Sequence, residues 1–228
     1  MNLTVTKSSA TAAAAVTEED LAAINRQALR VLSAEEVFVF HVNACDDCVD
    51  RDFERFPLAS LEKLASLFVG KPVITDHDWR AGNQTARVFR GSVETLADGR
   101  SVLRLDCYML RTERTGETIA AIEGGILREV SVGCSVSETR CCICGKRWLD
   151  CPHLPGSVYD GETCVYELIN PSEAYELSFV AVPAQRNAGV TKSAKNNPSG
   201  WTPADLAVEK IRLNFEKERT EHYERICQ

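Results

Sequence analysis

The chain has 228 residues, 44% of them hydrophobic, enough for one domain of generous size or one domain with appendages. Its 26 basic and 33 acidic side chains give a net charge of −7, and no basic stripe appears, so no nucleic-acid partner is expected. No apolar run approaches the roughly 20 residues that span a bilayer, so no membrane partner is expected either.

Residues 1–16 read as disordered: small, polar and without periodicity. Their Ala tract has one Lys before it and acidic residues straight after, which does not make a secretion signal, so a reducing compartment is expected. Thr17 followed by Asp20 resembles a helix cap, and Leu21, Ile24, Leu29 and Leu32 predict a helix to about Ser33. Glu36–Asn43 is a strand run, and CDDCVDRDFERFP is a polar loop. Apolar residues at 58, 61, 64, 65 and 68 predict a helix stopped by Gly70. Pro72–Thr75 is a short strand delivering His77. Residues 86–96 and 101–110 alternate about ADGR and read as a hairpin. Thr115–Ile122 is a short helix, Leu127–Val136 a strand, and Tyr175–Val182 the last strand, closed by Pro183. A linker (191–202) and a charged helix (203–228) complete the chain. The order predicts one α+β, mainly β domain over 17–190, a largely antiparallel sheet or barrel decorated by helices.

Ten cysteines in a reducing compartment favour metal binding over disulfides. RCCICGKRWLDCPHLPG, within a Cys-rich insertion at 140–164, places Cys141-x-x-Cys144 ahead of Cys151-x-His153. Two pairs of soft ligands, the first followed by Gly145, can wrap one tetrahedral Zn²⁺. Cys142 could replace Cys141, and Cys164 either member of the second pair. Four protein ligands leave no open position, so the zinc would be structural. Cys45-x-x-Cys48 reads as two thiols on an exposed loop, with a redox pair or a metal half-site as the other readings. Cys107 and Cys134 read as core residues.

Three strand-like segments carry groups suited to acyl transfer: His77 in KPVITDHDW, Ser131 in LREVSVGCSV, and Glu176 in AYELSFVAVPA. A serine hydroxyl needs a base to take its proton, histidine is the usual base, and a third group orients it. Ser131 faces away from Val130, Val132, Cys134 and Val136, and Gly133 keeps its face open for a substrate backbone. Each residue alone is unremarkable: a strand serine, a solvated strand carboxylate. Asp76 and Asp78 flank His77 and rival Glu176 as the orienting group.

Together these segments resemble the prohead, or capsid maturation, proteases of tailed phages, which share a fold with herpesvirus assemblins. The resemblance spans roughly residues 36–190. It covers VDRDFERFP, GKPVITDHDW, REVSVGCS and YELSFVAVPAQRNAGV, the last supplying Glu176, Ser178, Val180, Pro183 and Ala184 of an E-x-S-x-V-x-x-P-A pattern. It implies an assemblin-like fold and a serine endopeptidase with Ser131, His77 and Glu176 as triad. An acidic residue takes the place of the second histidine of herpesvirus members. It further implies scaffold and major capsid protein as substrates, self-cleavage, a homodimer, and action inside the assembling procapsid in the bacterial host cytoplasm. Arg186 and its loop are candidates for the oxyanion site by analogy alone. The alternative is a non-catalytic assembly or scaffold protein of the same fold. An HD-type metal phosphohydrolase would need further ligands, which His41, His153 and His222 do not supply.

Overall fold

A computed structural model describes residues 16–191; the expected disordered start, the linker and the C-terminal charged helix lie outside the described residues. Helix α1 (Glu18–Asn25) begins as the sequence predicts. The Thr17 hydroxyl accepts the Asp20 N–H at 3.1 Å, while the Asp20 carboxylate accepts the Thr17 hydroxyl at 2.6 Å. The helix ends at Asn25, well short of Ser33. The Asn25 side chain instead grips the Leu32 backbone, donating to its carbonyl at 3.1 Å and accepting its N–H at 2.8 Å. Such side-chain-to-backbone bonds compete with helix, and Leu29 is left exposed while Leu32 is buried.

Strand β1 (Val37–Asp46) runs past the expected Asn43. Phe38, Phe40, Val42 and Ala44 fall on its buried face at period two. The register to its partner shifts between Asn43 and Cys45, and that irregularity turns Cys45 into the core as well. Cys45 is therefore a buried strand residue, not half of a loop pair. Within the expected polar loop a short β2 (Glu54–Arg55) forms; α2 (Leu58–Leu67), then β3 (Pro72–Thr75) and the hairpin β4 (Ala86–Thr95) and β5 (Ser101–Leu110) follow close to expectation. Helix α2 buries Leu61, Leu64 and Ala65 and lies so close to β4 that a Cβ at Gly91 would collide with the Ala65 carbonyl. Truncating Leu64 to Ala would cost about 2–5 kcal/mol.

After α3 (Gly116–Glu123) come β6 (Val130–Cys141), a small hairpin of β7 (Val158–Tyr159) and β8 (Glu162–Thr163), then β9 (Tyr166–Phe179) and β10 (Gly189–Thr191). Strands β6 and β9 differ from expectation: β6 starts later and runs on to Cys141, and β9 begins at Tyr166, well before Tyr175. Their added halves are polar (Ser135, Ser137 and Glu138 against Glu167 and Ser172), so no apolar alternation marks them. Ladder pairing and a Ser135–Ser172 hydroxyl bond of 2.9 Å hold them as a ribbon.

The main sheet has eight strands in the order β10-β1-β5-β4-β3-β9-β2, with β6 on the other side of β9. Pairing is antiparallel except for β2 and β3, which run parallel to β9. The leading end of β6 returns to β10 through a Glu129–Gly189 bridge, so the sheet curls until its ends meet. Inside lie Phe40, Leu103, Leu105, Leu177 and Phe179 with Leu64 and Phe68 from α2 and its cap, and Cys107 is among them as expected. Cys134 packs half-buried against this core. Helix α1 covers the outer face, its Ile24 clustering with Phe89 of β4.

Candidate functional site

Antiparallel β6–β9 pairing sets Ser131 directly opposite Ser178 and Gly133 opposite Glu176. Facing residues share a sheet face, so Ser131, Ser178 and Glu176 lie together. Strand β3, pairing Ile74 with Ser178 and Thr75 with Phe179, ends beside them. The chain then turns back through Asp76 and His77, both left-handed with φ of 53° and 52°. That conformation is uncommon for residues other than glycine and concentrates at functional sites. Two bonds anchor the turn: the Asp76 N–H donates to the Phe179 carbonyl at 2.9 Å, and the His77 N–H donates to Ser178 Oγ at 2.8 Å. The fully buried Ser178 hydroxyl is thus a clamp on the His77 backbone.

His77 Nδ1 lies 2.7 Å from Glu176 Oε1. The carboxylate is buried, with 3% of its side chain exposed, while the imidazole is 43% exposed. Taken alone, Glu176 suggests a solvated strand carboxylate; the fold buries it instead. Its second oxygen, Oε2, has no hydrogen-bond partner among the described residues. Asp78 does not compete for the imidazole: it accepts Asn83 Nδ2 at 2.8 Å and pairs with Arg80 at 3.3 Å. Gly133 corrects a second expectation. A Cβ there would collide with Glu176 Oε1, so the space the glycine opens is filled by the carboxylate, not left for substrate. The half-buried Ser131 hydroxyl shares this face, and among the described residues no hydrogen bond joins it to His77. Such bonds often tighten only when substrate is present. Ser178 went unassigned in the sequence, although its place two residues after Glu176 puts it on the same face.

Arg186 is exposed, and hydrogen bonds tie its loop to the segment after β1. Arg51 Nε donates to the Pro183 carbonyl at 3.0 Å and Gln185 Nε2 to the Cys48 carbonyl at 3.3 Å, tying VDRD to PAQRN. Burial above all pushes the Cys45 and Cys48 thiols up, which disfavours the thiolate form at each.

A second histidine–carboxylate pair escaped the sequence, because its members are far apart in the chain. His41 Nδ1 lies 2.6 Å from Asp106 Oδ1. Here Arg90 and Arg104 also reach Asp106, and Arg90 bonds Asp20 of α1 at 2.9 Å. The pair belongs to a network that fastens α1 to the sheet. Burial pushes the Asp106 carboxyl up, but His41 and the two arginines outweigh it and leave it below its usual value.

At the other end of the β6–β9 ribbon, Cys141, Cys144, Cys151 and His153 bring one ligand atom each within 4.8 Å of one another. Cys144 and Cys151 sulfurs are 3.4 Å apart, and His153 Nδ1 is 3.7 Å from Cys141 and 3.5 Å from Cys151. Metal–sulfur bonds of 2.3 Å in a tetrahedron need ligand separations of about 3.8 Å, so the donors fit one ion. The first pair forms a tight turn, closed by Gly145 N–H to the Cys141 carbonyl at 2.9 Å, with Gly145 at φ 71°. Burial raises the Cys141 thiol, but backbone N–H groups of Cys144 and Ile143 and nearby thiols outweigh it and bring it to about 7. Of the alternative ligands, Cys142 is engaged elsewhere, its sulfur accepting the Val165 N–H at 3.2 Å. Cys164 lies 3.7 Å from Cys141 but outside the group of four. The Tyr166 hydroxyl donates to the His153 carbonyl at 3.0 Å and so ties the turn to β9.

Among the described residues no helix is long and apolar enough to cross a membrane. Compared with protein-family models, with curated proteins and with solved structures, the chain matches none.

Proposed function

We propose that the chain is a serine endopeptidase of the prohead-maturation type, with Ser131 as nucleophile, His77 as base and Glu176 as the orienting acid. The observation that carries this reading is the 2.7 Å contact between His77 Nδ1 and a buried carboxylate on the face that bears Ser131. Glu176 accepts a hydrogen bond from Nδ1–H, which stays on the ring, and leaves Nε2 to take the Ser131 proton as its oxygen attacks the scissile carbonyl. Nε2 then returns the proton to the leaving amine, and water resolves the acyl-enzyme by the same route. The Ser178 clamp and the left-handed turn hold the ring for this work, and Gly133 gives the carboxylate its place. The substrates are scaffold and capsid-protein segments together with the chain itself, cut inside the assembling shell in the host cytoplasm by a homodimer.

Cys141, Cys144, Cys151 and His153 would hold Zn²⁺ in this reading. The ion supplies folding energy and no step of the hydrolysis. The test is co-expression with candidate coat and scaffold proteins, with mass spectrometry of the chain ends. New termini with wild type and none with Ser131→Ala are expected. Identical processing by both would refute the assignment, and no processing by either would favour a non-catalytic assembly protein.

A further inference from the structure

Strand β9 has one side that other strands leave partly open. There β2 pairs with Tyr166–Glu167 and β3 with Leu177–Phe179; among the described residues no strand pairs with that side between them. Helix α2 attends to the first part of the gap, where Ser60 Oγ donates to the Leu168 carbonyl and Lys63 Nζ reaches the Asn170 side chain. Among the described residues no strand pairs with this side of residues 172–176, which lead to Glu176, and Pro171 before them has no N–H to offer. Lys71 and Pro72 stand where β3 would have to continue, and Pro72 has no N–H to offer.

Beside this edge lies a cavity of about 340 Å³ whose walls include Pro72, Ile74, Trp79, Ala174, Tyr175 and Glu176. Its aromatic wall is built by a fault in the ladder. The β6–β9 register shifts so that Gly133 opposes Glu176 and Cys134 opposes Ala174, leaving Tyr175 as the extra residue. Bulges of this kind re-aim side chains next to functional sites. Here the Tyr175 ring meets Trp79 at 5.3 Å between centroids, and Trp79, two residues past His77, is 67% exposed. A large indole left in solvent against a second ring, over an aliphatic floor, is a surface suited to an apolar guest.

Resting on the endopeptidase reading, we propose that this cavity is the specificity subsite. An extended peptide adds to the open β9 edge and seats one bulky apolar side chain, aromatic or large aliphatic, between Trp79, Tyr175 and Ile74. Main-chain bonds to the edge supply affinity for any extended segment, and the pocket supplies choice, as in other strand-addition modes. Because Glu176 forms part of the wall, the seated residue fixes the distance from anchor to the scissile bond.

Two measurements on the full chain test this separately from catalysis. In the first, Ser131→Ala protein is titrated with fluorescently labelled, end-blocked octapeptides of Ser, Gly and Ala that carry a single Phe, Leu, Ala or Asp. Phe and Leu peptides should bind roughly tenfold tighter than Ala or Asp peptides. Adding Trp79→Ala or Tyr175→Ala should erase that gap, and Trp79→Phe should keep most of it; circular dichroism checks that each variant is folded. Equal binding of Phe and Ala peptides, or a preference indifferent to Trp79→Ala, overturns the proposal. In the second, wild-type chain digests a proteome-derived peptide mixture, and mass spectrometry should find bulky apolar residues enriched at one fixed place relative to the cut. Cleavage with no such preference sinks the subsite and leaves the endopeptidase standing. Trp79-dependent binding without any cleavage sinks the endopeptidase and leaves a peptide-binding subsite.

Discussion

The two ends of the β6–β9 ribbon each hold a histidine among groups of matched chemistry, and they are built to opposite rules. Near Ser131, the His77 ring is half exposed, with one nitrogen held by Glu176 and no bond at the other among the described residues. Near Cys141, His153 Nδ1 lies within 4.8 Å of three sulfurs, a grouping that could hold one ion. About ten residues of strand, roughly 30 Å, separate them. In the proposed reading, the group that is to react keeps one valence open and is oriented by a buried partner, whereas the group that is to hold the chain spends every donor on the same centre.

The contrast is broken most severely at the reacting end. Ser131→Ala and His77→Ala should each lower cleavage by about four orders of magnitude or more, since such groups act as a unit. Neither should change metal content, which elemental analysis would check; calorimetry should find Ser131→Ala melting like wild type, and His77→Ala several degrees lower because it strands the buried Glu176 carboxylate. Glu176→Gln should cost less, about a hundredfold to ten-thousandfold in kcat, because an orienting group can be partly replaced by the surrounding geometry. Should Glu176→Gln be fully active and Asp78→Asn dead, the orienting role would pass to Asp78.

Gly133→Ala sharpens the comparison within one site. The added methyl needs the space of the Glu176 carboxylate, so the His77 contact must lengthen. A tenfold to hundredfold loss of kcat with an intact zinc complement is expected. Wild-type activity would mean that the carboxylate position does not matter.

At the holding end the effect should fall on stability first. Chelation, or Cys144→Ser with Cys151→Ser, should lower the melting temperature by several degrees and loosen residues 140–164 before activity drops. Metal binds thiolates and a neutral imidazole, so retention should weaken as the solution is acidified, which elemental analysis across a pH series would check. Metal-free protein with unchanged melting would end the structural reading.

The smallest effect belongs to the other histidine–carboxylate pair and serves as its control. Asp106 sits below its usual value of 3.8, so its contribution to stability is full above that value and is lost as pH falls through the lower folded value. Asp106→Asn should therefore weaken the fold modestly at neutral pH, flatten its acid sensitivity and leave kcat alone. Urea titrations at several pH values would show this.

What the sequence made legible follows from how each site is encoded. The candidate metal group is local: CxxC, a glycine turn and CxH lie within one short loop, so spacing pointed to the four donors that the fold brings together, with Cys142 and Cys164 as alternatives. Strand β3, helix α2 and the β4–β5 hairpin were legible for the same reason, each carrying its own apolar period. The proposed triad is drawn from β6, β9 and the turn after β3, segments distant in the chain, and only the resemblance joined them. What the sequence hid was register. A bulge brought Tyr175 to Trp79, a shift turned Cys45 inward, and the pairing of Gly133 with Glu176 reversed the meaning of that glycine. Polar ribbon halves such as 135–140 carry no alternation to read, and Asn25 ended a helix by a bond to a residue beyond it.

The central claim is that Ser131 is made nucleophilic by a histidine held on Glu176. A fluorophosphonate reports that state directly, since it phosphonylates an activated serine and ignores ordinary ones. Intact-mass and peptide mapping should find one adduct on Ser131 in wild type. The adduct should be absent in His77→Ala and slowed in Glu176→Gln. No adduct in folded wild-type chain, or one formed equally fast in His77→Ala, would contradict the account.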